Sequence, residues 1–131
     1  MDQDMSPAHL AVELEDAERL QALLDDGASV HEEHSGLTLL HHAIDVEADG
    51  HVQTGDRLHV DMTALLLANG ADPRRRSHGG TGVSAEHFAF VRGHWLATRL
   101  INAWLRDHPE QAPTATSTTG TSAIIDSPRG A

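Results

Sequence analysis

One short motif occurs three times in this chain of 131 residues: a Ser or Thr followed three residues later by His and five residues later by Ala. The copies begin at Ser6, Thr38 and Ser84. A Ser or Thr in this place is a good helix N-cap, because its hydroxyl accepts a hydrogen bond from a backbone N–H that the first helical turn leaves unpaired. The motif therefore predicts three helix starts.

A second amphipathic stretch follows each start, with Leu and Ile at helical spacing over residues 17–26, 59–69 and 94–105. The first two stretches end at Gly27 and Gly70, and Gly supplies the positive φ that closes a helix C-terminus. The third ends shortly before Pro109. The chain is thus predicted to be all-α, with about three helix–turn–helix units in one domain over residues 1–106.

The fuller pattern resembles the ankyrin repeat, whose signature reads G-x-T-P-L-H-x-A-A-x-x-G-H, then a Leu-rich helix and N-G-A-D. This chain has GLTLLH at 36–41, GVSAEH at 82–87, GH at 93–94 and LLLANGAD at 65–72. The resemblance covers roughly residues 6–105 and implies an ankyrin-repeat solenoid of about three repeats. In such a fold each helix pair buries its apolar side only by stacking on its neighbours.

Two segments depart from the repeat. From Thr38 to Gly70 the spacing is 32 residues, against 21 from Ser6 to Gly27, so about 11 residues are inserted in the middle repeat. They fall in the polar stretch 47–57, which is predicted to be an extended loop. Residues 107–131 are rich in Ser, Thr and Pro and are predicted to be a disordered tail, because they offer little apolar surface to bury.

The charge of −11 is unevenly distributed. Residues 1–72 carry 16 acids and 2 Arg, a sum of −14, whereas residues 73–131 carry 4 acids and 7 Arg, a sum of +3. This balance argues against binding nucleic acid or an anionic membrane, both of which need basic surfaces. Such an asymmetry could steer a basic protein partner toward the first half, although a solvated acidic surface that keeps the protein soluble is the preferred interpretation. With no apolar run of membrane-spanning length and an acidic start, a cytoplasmic location is expected.

The sequence gives little evidence for a catalytic site or a metal site. The chain has no Cys, which excludes thiolate zinc sites and cysteine nucleophiles. His31 and His34 are three residues apart in a predicted loop, whereas the zinc-protease motif needs a spacing of four on a helix. We therefore expect no enzyme activity, no cofactor and no metal. One acidic and His-containing stretch could bind a divalent cation weakly, although a solvated acidic loop is the preferred interpretation: Asp45, Glu47, Asp49, His51, Asp56, His59 and Asp61.

The resemblance also implies where a partner would bind. In ankyrin-repeat proteins the loop tips and the exposed positions of each first helix line a concave groove. Two interpretations stay open for the Arg run, residues 74–76: these side chains could pair with acids of the chain itself or hold carboxylates of a partner. The expected partner-binding residues are Glu13, Leu14, His31, Glu32, Glu33, His34, Asp45, Val46, Arg74, Arg75, Arg76, Val91 and Arg92.

The function expected from these features is a protein–protein interaction module of the immunity or regulatory adaptor type. The alternative is a small-ligand-binding protein or enzyme with a pocket in the last repeat, which contains all four aromatic residues. Packing at the end of the core is the simpler role for those rings. The residues concerned are Glu86, His87, Phe88, Phe90, Trp95 and Trp104.

Overall fold

A computed structural model gives the fold of residues 5–109, which form six α-helices, a short 3-10 turn and one small hairpin. The chain is mostly helical, so the predicted all-α class is confirmed. The helices are α1 (Pro7–Glu13), α2 (Ala17–Asp25), α3 (Leu39–Thr54), α4 (Asp61–Ala68), α5 (Ala85–Val91) and α6 (Trp95–Asp107), and the hairpin strands are β1 (Glu33–His34) and β2 (Leu37–Thr38).

The three predicted N-caps are confirmed. The hydroxyls of Ser6, Thr38 and Ser84 accept hydrogen bonds from the amides three residues later, at 3.2, 3.2 and 3.1 Å. Each cap contributes about 1 kcal/mol to helix stability. At the other end of the first two helix pairs, Gly27 and Gly70 have φ values of +108° and +98°, as predicted for the residue that follows a helix.

The helices pack as successive pairs. Helices α1, α3 and α5 each contact the helix that follows them, and α3 also lies against both α1 and α5. Helix α2 contacts α4. The core between them is formed by fully buried aliphatic side chains, among them Leu20, Leu39, Ile44, Leu66 and Ile101. The Ala five residues after each cap is buried as well, which leaves room for neighbouring helices to approach closely.

The predicted loop over residues 47–57 is wrong. Helix α3 continues through this stretch to Thr54 and ends at Gly55, whose φ is +75°. A single interior Gly costs a helix only about 1 kcal/mol, and here burial of Glu47 and Ala48 holds the extension to the core. The connection to α4 is therefore confined to residues 55–60.

The first residues of the predicted tail, 107–109, belong to the described fold. Helix α6 includes Asp107, and the ring of His108 stacks on Trp104 with a centroid separation of 3.9 Å and an interplanar angle of 8°. The chain is thus structured slightly past the predicted domain end at residue 106. Residues 110–131, most of the predicted tail, lie outside the described residues.

The hairpin requires glycine at its tip. Gly36 has a φ of +84°, and its carbonyl accepts a hydrogen bond of 2.6 Å from the His78 amide. A Cβ added to Gly36 would lie 2.2 Å from Cδ2 of the His78 ring, far inside van der Waals contact. The Gly79 amide also donates to the Glu33 carboxylate at 3.1 Å. The hairpin between the first two helix pairs therefore lies against the loop that precedes the third.

Candidate functional site

The same contact joins each of the first two helix pairs to the loop that follows it. His9 and His41, each third after its cap, are fully buried. Their Nε2 atoms lie 3.2 Å from the Glu32 carbonyl and 2.8 Å from the Val83 carbonyl, respectively. Because a carbonyl can only accept, each Nε2 carries a hydrogen and donates it. The predicted structural role of these two rings, linking a helix start to a neighbouring backbone, is confirmed.

Burial keeps both rings neutral. Desolvation is the largest influence on His9 and on His41, and it lowers the pKa of each below the ordinary value of 6.5. The backbone hydrogen bonds to Glu32 and Val83 act in the opposite direction, favouring the charged ring, but do not reverse the shift. Each ring therefore acts at neutral pH as an uncharged donor between two helix pairs.

In the second and third helix pairs, the fourth residue after the cap faces the preceding pair. His42 Nδ1 lies 2.9 Å from His9 Nδ1, and His42 Nε2 lies 2.8 Å from a carboxylate oxygen of Glu13. In the third pair the corresponding residue is Phe88, whose ring meets His41 at a centroid distance of 5.5 Å and an angle of 60°. Sequence reasoning missed this second contact, because His and Phe at equivalent positions form no recognisable motif.

A buried carboxylate connects three helices in the middle of the molecule. Glu47 on α3 accepts hydrogen bonds from the amides of Met62 and Thr63 at 2.9 and 3.2 Å, and from the Thr63 hydroxyl at 2.7 Å. His94 Nε2 lies 2.9 Å from the same carboxylate. Helix α4 has no side-chain cap of its own at Val60, so Glu47 supplies one from a distance. The interpretation of Glu47 as a solvated loop acid is wrong, since its side chain is fully buried.

Two other members of the acidic stretch lie near Glu47: His59 Nδ1 is 4.0 Å from its carboxylate and 3.7 Å from that of Asp61. The remaining members are dispersed. Asp45 forms an ion pair of 2.8 Å with Arg92, and Asp49 accepts from Gln53 on the same helix. His51 Nδ1 donates to the carbonyl of Asp56 at 2.7 Å. Within residues 5–109 no three His, Asp or Glu side chains are grouped so that they could hold a metal ion.

The predicted loop residues His31 and Glu32 are half-buried rather than free at a tip. His31 Nε2 accepts from the Asp72 amide at 3.3 Å, and the Glu32 carboxylate accepts from the Ser6 hydroxyl. Burial lowers the pKa of His31, and the positive charge of Arg75 lowers it further, against a smaller opposing effect of Asp72. These two residues therefore join neighbouring loops.

The other two hairpin residues differ in exposure. Glu33 is exposed, although its carboxylate accepts the Gly79 amide. The His34 ring is half-buried and lies 5.6 Å from the His9 ring, at an angle of 48°. Of the four predicted loop residues only Glu33 is thus exposed to a partner, and its carboxylate is already bonded to the Gly79 amide.

The Arg run mostly contacts the chain itself. The Arg74 guanidinium lies 3.7 Å from the Asp72 carboxylate and 5.7 Å from the ring centre of Trp104, and it donates to the His108 carbonyl. Arg76 Nε donates to the Gly82 carbonyl at 2.8 Å. Arg75 is exposed. For Arg74 and Arg76 these contacts favour the intramolecular reading over capture of a partner's carboxylates.

The predicted helix positions pair across neighbouring helices. Asp45 and Arg92 are brought together as an ion pair, and Glu13 is bonded to His42. Val46 packs against the core. Leu14 and Val91 are left 67% and 63% exposed at the ends of α1 and α5. The charges of these predicted partner-binding residues are therefore partly neutralised within the molecule, and Leu14 and Val91 are left as exposed apolar side chains.

The residues of the predicted pocket are divided among separate depressions. Glu86 lines one of about 430 Å³ with Leu105 and Pro109, and His87 lines another of about 460 Å³ with Val83. The expected end-of-core packing holds for Phe88 and Trp104, which pack against the core. It does not hold for two aromatic residues that are largely exposed, Phe90 and Trp95. A ligand pocket in the last helix pair stays a prediction.

Neither a scan against protein-family models nor a search of curated proteins finds a match to this chain. No helix within residues 5–109 combines the length and the apolar character needed to cross a membrane. Function is therefore inferred from the contacts and charges of the chain itself.

Proposed function

We propose that this chain is a short ankyrin-repeat solenoid whose work is to bind another protein of basic character. The observation that supports it best is the repeated contact by which His9 and His41 each donate to the loop of the following helix pair. Because the contact recurs at the same position, it supports a regular stack in which each helix pair is related to the next by the same rotation and translation, here called a step. Such a step sets loops and helix ends side by side along one edge, which is how repeat proteins present extended binding surfaces.

The surface charge supports a basic partner. Between residues 5 and 72 ten carboxylates are exposed, against two exposed Arg, Arg19 and Arg57. An excess of this size attracts a positively charged protein from a distance and speeds its association, most strongly at low salt. The exposed acids are Glu13, Glu15, Asp16, Glu18, Asp25, Asp26, Glu33, Asp49, Asp56 and Asp61.

Leu14 and Val91 supply the apolar part of the proposed interface. Leu14 follows the last residue of α1 and Val91 ends α5, the first helices of the outer two pairs, and Asp45 of the middle pair forms an ion pair with Arg92, the residue after Val91. Interfaces take most of their binding energy from a few apolar anchors, whereas charges at the rim govern the rate of association. We therefore assign contact energy to Leu14 and Val91 and steering to the exposed acids.

Affinity purification from cells of the source organism, followed by mass spectrometry, tests the proposal. The bait is the full chain, compared with the double variant Leu14→Ser/Val91→Ser and the control Val52→Ser. Val52 is 74% exposed and lies on the extension of α3. A basic protein should be recovered with wild type and control, be reduced at least tenfold with the double variant, and decrease with added salt. Equal recovery by all three baits, or an acidic partner, would refute the proposal.

A further inference from the structure

The last helix pair exposes side chains at positions that the first two pairs bury. Six residues after the three caps come Val12, Ile44 and Phe90; the first two are fully buried, whereas Phe90 is 72% exposed. Three residues after the caps, His9 and His41 are buried donors to the next loop, but His87 is exposed. One side of the α5–α6 pair is thus left uncovered by residues 5–109.

This uncovered side contains a groove of defined chemistry. Phe90, Gly93, Trp95, Thr98 and Arg99 line about 380 Å³ of mostly apolar space. The Trp95 ring is 64% exposed. Arg99 is exposed, and its guanidinium forms no ion pair within the described part of the chain. An occupant that fits this groove offers aliphatic side chains to two aromatic rings and a carboxylate to Arg99.

We propose that residues 124–126 of the same chain, Ile-Ile-Asp, occupy this groove. Ile124 and Ile125 are the only large apolar residues among 110–131, and Asp126 follows them directly. The Ile pair covers Phe90 and Trp95, while the Asp126 carboxylate meets the Arg99 guanidinium. The segment thereby acts as a cap for the last helix pair.

The chain leaves the described part in a suitable place. Pro109 lies beside Ser84 and Glu86 of the same helix pair. Ile124 comes fifteen positions after Pro109, a reach of up to about 50 Å when the chain is extended. Helix α6, which must be followed back to Trp95, is only about 20 Å long.

Two considerations favour the chain's own segment over a second copy. A tethered segment has an effective concentration on the order of millimolar, well above a second copy at micromolar concentration. A two-fold contact between copies would also bring two Arg99 guanidiniums toward each other, and like charges oppose association. The acid that follows the Ile pair removes that conflict.

Disulfide trapping in the full chain tests the proposal, since the chain has no Cys of its own. One variant carries Thr98→Cys and Ser127→Cys, and its control carries Val52→Cys and Ser127→Cys. Under mild oxidation at micromolar concentration, the first should form an intramolecular disulfide at least tenfold faster than the second. Adding Ile124→Ser and Ile125→Ser should abolish that difference.

Acrylamide quenching of tryptophan fluorescence provides a second measurement that needs no Cys. Ile124→Ser/Ile125→Ser should increase quenching and shift emission to the red, and Trp95→Phe should remove the difference. Equal trapping rates in the two Cys pairs, or unchanged quenching, would overturn the proposal. Predominant disulfide-linked dimers would overturn it as well, in favour of a second copy as the occupant.

Discussion

Replacing Glu47 by Gln keeps the size of the side chain but converts one of its acceptor oxygens into a donor. In the folded chain both oxygens are used: one accepts from the amides of Met62 and Thr63, and the other from the Thr63 hydroxyl and His94. The best fit turns the Gln NH₂ toward the Thr63 hydroxyl, which can accept as well as donate, and toward His94 Nε2, which carries a hydrogen because its Nδ1 accepts from the Ala97 amide. The His94 donor then stays buried and unpaired, and the amides of Met62 and Thr63 bond to a neutral oxygen instead of a charged one.

The magnitude follows from these contacts. Leaving one buried donor unpaired costs about 2 kcal/mol, exchanging charge-assisted for neutral hydrogen bonds costs about 1 kcal/mol, and about 1 kcal/mol is recovered because no charge remains buried. We expect Glu47→Gln to lower the free energy of unfolding by about 2 kcal/mol. For a domain of this size that corresponds to a decrease in Tm of roughly 10 °C.

Urea and thermal unfolding followed by far-ultraviolet circular dichroism measure the effect. Asp49→Asn is the matched control, because Asp49 is an exposed carboxylate on the same helix, and its replacement should change stability by less than about 0.5 kcal/mol. Thr63→Val removes one of the donors, so the double variant with Glu47→Gln should be destabilised by less than the sum of the two single variants. Equal effects of Glu47→Gln and Asp49→Asn would refute this account of Glu47.

Three further predictions concern other parts of the fold. Gly36→Ala should lower the urea midpoint by the equivalent of about 2 kcal/mol, because it combines a positive φ with a collision against His78; Gly50→Ala, inside α3 with open space around it, should raise the midpoint slightly. Arg92→Ala should change the free energy of unfolding by less than about 0.5 kcal/mol in the same assay, since the Asp45–Arg92 pair is partly exposed. Burial lowers the pKa of His9 and His41, so the unfolded chain binds more protons below pH 6.5; their contribution to stability is complete above that value and is lost as the pH falls. Urea unfolding at pH 7.5 and 5.5 should give the lower stability at pH 5.5 for wild type, with a smaller decrease for His41→Asn; an equal decrease in both would contradict the assignment.

Local signals explain why much of the fold could be predicted from the sequence. Ser6, Thr38 and Ser84 act through hydrogen bonds to amides three residues away, so their role depends on neighbours that the sequence displays directly. The Gly residues that close α2 and α4 are similar, because positive φ favours glycine whatever the tertiary context. Helix starts and ends were accordingly correct where caps decided them.

The errors arose where distant contacts decide the structure. The polar stretch that follows Glu47 contains two Gly residues, a composition that predicts a loop, yet α3 continues through most of it. Nothing near Glu47 in the sequence shows that its carboxylate meets an uncapped helix start 15 residues later and a His 47 residues later. The Asp45–Arg92 ion pair was missed for the same reason, because both residues were assigned separately to a binding surface.

The two ends of the described fold expose different side chains, because each first helix uses one residue to contact the next pair and another to contact the preceding pair. In each first helix the third residue after the cap faces forward and the fourth faces back, as the His9–His42 and His41–Phe88 contacts show. Leu10, the fourth residue of the first unit, has no earlier pair to meet within residues 5–109 and is 46% exposed. His87 and Phe90 are exposed at the opposite end for the converse reason. Because two of the three pairs are end pairs, stability depends heavily on what covers them.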